Sequence, residues 1–80
     1  MRTRSELLKQ LAETKRQIEH GGNIIDAQRS VVDSLSARGH EAIEAKMLLA
    51  SFEQSLEIWL GEMDRLLNAL DKMPAHREVA

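Results

Sequence analysis

Between Ala42 and Met73 the apolar residues recur at alternating steps of three and four. They are Ala42, Ala45, Leu49, Phe52, Leu56, Trp59, Met63, Leu66, Leu70 and Met73. This is an a/d heptad series over more than four heptads, the pattern of a helix that buries one seam. Glu44, Glu53, Glu57, Glu62, Asp64, Arg65 and Asp71 fill much of the remaining circumference. Pro74 follows the series, where a proline stops a helix. The pattern predicts one helix over about 41–73, followed by a short flexible polar tail over 74–80.

The first half carries the same period with an interruption. Leu11, Ile18, Ile25 and Val32 recur every seven residues, and Leu7 and Leu35 fall three residues after positions 4 and 32. Gly21 and Gly22 lie between Ile18 and Ile25, and adjacent glycines often mark a turn. A turn, however, would release the two segments from a common phase, and the phase is the same on both sides. One helix over about 4–37 is therefore predicted, with Gly21 at a d position facing the Leu56 to Trp59 region of an antiparallel partner. Three helices, with breaks at Gly21-Gly22 and Gly39, are the alternative. Two glycines inside a helix cost up to roughly 2 kcal/mol relative to alanine, so a packing gain must offset them. The expected gain is a notch that admits Trp59, and a large side chain at Gly21 is then expected to overpack the seam.

The connection reads "SARGHE". Gly39 suits the left-handed residue that closes a helix, and His40, Glu41 and Glu44 are expected in the opening turn of the next. His40 is a weak cap candidate, because histidine is not a preferred N-cap. Two helices of matching length on a short turn make an all-α antiparallel hairpin. Residues 1–80 are accordingly read as one helical-hairpin domain.

The core seam is assigned to Leu11, Ile18, Gly21, Ile25, Gln28, Val32, Leu49, Phe52, Leu56, Trp59, Met63, Leu66 and Leu70. Apolar residues also lie outside it: Ile24 and Val31 on the first helix, and Ile43, Met47, Leu48, Ile58, Leu60 and Leu67 on the second. Ile24, Val31, Ile58, Leu60 and Leu67 form the candidate partner face. They widen the apolar surface beyond what one antiparallel helix covers. Two helices along one seam bury little, and 80 residues is a size at which a single core is marginal. A homodimer of hairpins, a four-helix bundle, is the expected solution.

Charge and composition narrow the function classes. The formal net charge is −2, with 30% charged residues and no cysteine. No disulfide or thiolate site is available, which fits a reducing cytoplasm. No apolar run approaches the roughly 20 residues that span a bilayer, and the N-terminus turns charged too soon for a signal-peptide apolar segment. No membrane partner is expected. Residues 4–38 sum to +1 and residues 41–72 to −4, which favours the first helix packing beside the second.

Candidate chemistry is sparse. His20, His40 and His76 have no i, i+4 histidine partner and no cysteine, so no metal or cofactor is expected. His40-Glu41 resembles the phosphoacceptor sequence of sensor-kinase dimerisation hairpins. There the histidine lies within the first helix and a proline-bearing motif follows; neither holds here, so a phosphotransfer hairpin using His40 is the weaker alternative function. Gln28 at a d position, with Arg29 beside it, suits a register-fixing polar residue. Trp59 at a d position reads first as core and second as a binding anchor. Arg2, Arg4, Lys9, Lys15 and Arg16 make a basic N-terminal end without interleaved aromatics, opposed by the acidic second helix. Nucleic acid is the alternative partner rather than the expected one. No phosphate loop and no nucleophile beside a base is present, so a non-enzymatic protein acting through protein–protein contact is expected.

The pattern Ile18-x-x-Gly21-x-x-x-Ile25-x-x-Gln28-Arg29, then Leu35-x-x-x-Gly39-His40-Glu41, then Ala45-x-x-Leu48-Leu49-x-x-Phe52-Glu53-x-Ser55-Leu56 and Arg65-Leu66 carries a resemblance. Over residues 16–70 the chain resembles the short uncharacterised helical-hairpin proteins abundant in rhizobia and related alphaproteobacteria. The resemblance implies a cytoplasmic bacterial protein and assigns no catalytic or ligand residue. Gly22 departs from that pattern, in which a polar residue is usual.

Overall fold

The computed structural model describes residues 3–73 as two helices, α1 (Arg4–Ala37) and α2 (Ile43–Asp71), packed against one another as an antiparallel hairpin. Among the described residues there is no strand. The Cα atoms span 65 × 14 × 14 Å with a radius of gyration of 18.3 Å. A compact chain of this length would have a radius near 12 Å. The chain is a rod, one helix pair thick.

α1 runs unbroken through Gly21 and Gly22, as the preserved heptad phase predicts. Its start is fixed by a capping box that the sequence reading missed. The Thr3 hydroxyl accepts from the Glu6 N–H at 3.1 Å, and the Glu6 carboxylate accepts from the Thr3 N–H at 2.8 Å. Two of the four unpaired N–H groups that every helix start exposes are satisfied in this way.

Gly39 closes α1 as expected, at a φ of +75°. The His40 N–H donates to the Leu35 carbonyl at 2.9 Å and the Gly39 N–H to the Ser36 carbonyl at 3.1 Å. This pair of bonds is a Schellman closure. It also corrects the expectation for His40, whose backbone completes α1 rather than opening α2. The second helix starts at Ile43 with Ala42 as N-cap and no side-chain cap bond, so His40 and Glu41 both precede it. Ala42, 6% exposed, is held by burial in the seam instead. α2 ends at Asp71, two residues before the predicted end, and the Met73 N–H folds back to the Leu70 carbonyl at 3.1 Å. The predicted tail 74–80, with His76, lies outside the described residues, as does Arg2.

The seam forms where the heptads place it. Every a and d residue of α1 from Arg4 to Leu35 is buried or half-buried, including Leu11, Ile18, Gly21, Ile25, Gln28 and Val32. The same holds in α2 for Leu49, Phe52, Leu56, Met63, Leu66 and Leu70. Trp59 is the exception at 37% exposure. Thr14, a d residue that an apolar count passes over, is 3% exposed.

Burial is uneven along the rod. Leu7, Leu11 and Leu66 form the core cluster, with Met63, Ala69, Leu70 and Met73 packed against it, all at the open end of the hairpin. Toward the turn, Ile25 and Ala42 are buried but belong to no such cluster. The open end is zipped shut, whereas the turn half is thinly covered.

Candidate interaction surface

Two polar contacts cross between the helices in the turn half. The Gln28 side-chain amide donates from Nε2 to the Ala45 carbonyl at 2.9 Å, in the first turn of α2. Arg29 Nη2 meets Glu53 Oε2 at 3.1 Å, and its other terminal nitrogen lies 4.0 Å from Asp26. Gln28 therefore tethers one side of the α1 ridge and Arg29 the other. The Arg29–Glu53 pair has about half of each side chain in water. Such a pair contributes about 0.2–1 kcal/mol, enough to bias register and too little to hold the helices together.

Gly21 lies opposite Leu56, as expected, but the notch is not tight. A Cβ at Gly21 would meet only Leu56 Cδ1, at 3.6 Å, an ordinary contact. Trp59 does not fill the space. It lines, with Gln17, Gly21, Ile24, Phe52 and Leu56, a cleft of about 140 Å³. The space that Trp59 was expected to fill is thus a gap, and it admits the Cβ of an alanine. Gly21 offers no side chain to cover the indole, which is why a d-position tryptophan stands exposed.

A second, wider cleft of about 720 Å³ lies nearer the turn, between Val31 and Leu48, with Gln28, Leu35 and Ala45 beside them. Val31 is two helical turns from Ile24 and Leu48 two turns from Ser55, so both clefts open on the same side of the hairpin. That side is the one away from the Arg29–Glu53 pair.

The apolar residues expected outside the seam are indeed uncovered. Val31, Ile43, Met47, Leu48, Ile58, Leu60 and Leu67 are all exposed, Ile58 the most at 69%, and Ile24 is half-buried. Leu8 joins them as an exposed residue that the sequence reading left out. The candidate partner face nevertheless divides. Ile24, Val31 and Ile58 lie on the cleft side with Leu48 and Trp59, whereas Leu60 and Leu67 occupy the same heptad position as Glu53 and lie on the opposite side. The chain exposes 6262 Å² in all, against roughly 4,900 Å² for a compact monomer of its 9.1 kDa mass. The difference is what a rod one helix pair thick leaves in water instead of burying.

Charge chemistry at the remaining candidate sites is local. Arg16 pairs with Glu13 one turn away, and the side-chain bond from Arg16, helped by one from Gln17, holds the Glu13 carboxyl below the usual carboxylate value. Part of the basic N-terminal end is therefore already neutralised by its own helix. His40 is exposed in the turn, and His20 borders the smaller cleft. Among the described residues no group of three or more His, Cys, Asp or Glu is placed to hold a metal ion. Nor, among them, is any helix long and apolar enough to cross a membrane. No protein-family profile, no curated protein and no solved structure matches the chain.

Proposed function

We propose that the chain is a non-enzymatic interaction protein whose unit of function is a homodimer, two hairpins forming a four-helix bundle. The observation that carries this reading is the mismatch between what the hairpin buries and what it leaves out. Among the described residues five apolar side chains are buried, while nine large ones are exposed. A monomer rarely keeps so many large apolar side chains in water, whereas an assembling subunit does. A second copy would cover the turn half, where the intramolecular seam is thinnest. The same reading puts the protein in a bacterial cytoplasm, in line with its cysteine-free composition and the resemblance of residues 16–70.

Thermal melting across concentration tests the proposal. Dimer formation couples folding to association, so the melting temperature rises as the protein is concentrated from micromolar to millimolar. A concentration-independent melt of a fully helical protein would count against it.

A further inference from the structure

The cleft side of the hairpin carries a second heptad seam, one residue out of phase with the first. On α1 it runs Ile24, Ala27, Val31 and Ser34, and on α2 Leu48, Ser51, Ser55 and Ile58, again at alternating steps of three and four. Seven of these eight residues are exposed, and Ile24 is half-buried. None is charged. Four are large and apolar (Ile24, Val31, Leu48 and Ile58) and four are Ala or Ser, small enough to let facing helices approach closely. The other sides of the same stretch differ: Asp26, Arg29 and Asp33 mark α1, and Lys46, Glu53 and Glu57 mark α2.

Resting on the dimer reading above, we infer that a second copy of this chain docks on this seam with the two turns at the same end. Each α1 then lies over the partner's α2. Two symmetric arrangements bring the cleft sides of two hairpins face to face. With the turns together, α1 packs on the partner's α2; with the turns at opposite ends, each helix packs on its own counterpart. Charge separates them. Residues 41–72 carry Glu41, Glu44, Glu53, Glu57, Glu62, Asp64 and Asp71 against Lys46, Arg65 and Lys72, a net −4. Packing α2 on the partner's α2 sets these acidic helices side by side, which like-charge repulsion opposes. Packing it on the partner's α1, whose residues 4–38 carry a net +1, does not. The turn-together form also sets Val31 level with the partner's Leu48, and Arg38 level with the partner's Glu41.

The absence of cysteine makes the test direct, because one introduced thiol labels one site per chain. Ser5 lies on the exposed outer surface at the open end. A nitroxide on Ser5→Cys, in the otherwise native chain, reports the separation of the two open ends by electron–electron double resonance. With the turns together the labels lie within about 35 Å of each other, the width of a bundle plus two label arms. With the turns apart they lie beyond about 45 Å, because the helix rise alone separates them by that much. The longer distance would overturn the orientation and leave the dimer standing. A folded monomer showing no intermolecular distance would overturn both. The side is read separately: Ile58→Lys weakens association about tenfold or more while helicity is kept, and Leu67→Lys leaves association within about twofold. The reverse pattern would move the interface to the opposite side and refute the seam, again without touching the dimer.

Discussion

Gln28 of α1 donates its side-chain amide to the Ala45 carbonyl of α2 at 2.9 Å, so a polar residue at a seam position reaches across to the backbone of the facing helix. An apolar residue there would pack on either neighbouring turn, whereas the amide has one carbonyl within reach. Such a residue trades stability for a single register. Gln28→Leu is therefore expected to keep or raise the melting temperature while permitting more than one register. Amide NMR spectra check this: the variant should show more than one peak for residues near the turn. A single sharp set of peaks would show that register is fixed elsewhere.

Replacing Gly21 tests the gap beside Trp59. The added Cβ sits 3.6 Å from Leu56 Cδ1, so Gly21→Ala gains helix propensity without a clash. The expected gain is about 1 kcal/mol, seen as a melting temperature roughly 4–8 °C higher for a domain of this size. Gly22→Ala, whose Cβ meets nothing within 4 Å, should behave alike. A loss of stability at position 21 alone would restore the tight notch.

The helix ends give two opposite controls. Thr3→Ala removes half of the capping box and should cost about 1 kcal/mol by chemical denaturation. Gly39→Ala forces a side chain into a left-handed backbone at φ +75°, a strain of roughly 1–2 kcal/mol. If Gly39→Ala melts no lower than the parent, the Schellman closure is not what holds the turn.

Trp59 is the sole tryptophan, and at 37% exposure it borders the smaller cleft. Docking of a second copy on the cleft side would shield it, so its emission should shift to the blue on raising the concentration. Emission unchanged between dilute and concentrated protein would place any association away from the cleft side.

Much of the fold was legible because the heptad phase survives the glycines. From Leu11 to Val32 the period alone distinguished a continuous helix from a break, and Gly39 marked the turn. What stayed hidden has specific causes. The Thr3–Glu6 capping box precedes any apolar periodicity, and its T-x-x-E signature went unread. Thr14 is a polar residue holding a core position, so counting apolar residues skips it. Ala42 replaces a polar cap by burial in the seam, which residue type alone does not reveal. The exposure of Trp59 depends on what lies opposite, and Gly21 supplies no covering atoms. The second seam is half visible in the sequence, where Ile24, Val31 and Ile58 stand as apolar residues outside the first. Their separation from Leu60 and Leu67 depends on which side of the hairpin carries the Arg29–Glu53 pair, a relation between helices that periodicity does not contain.

Among the described residues one hairpin leaves nine large apolar side chains exposed, more than a lone chain of this size keeps in water. Sedimentation equilibrium of the purified protein over micromolar concentrations reads this as mass. A dimer of hairpins has twice the 9.1 kDa of the chain, falling toward one chain on dilution. A helical, cooperatively melting protein that sediments as a single chain throughout that range would contradict it.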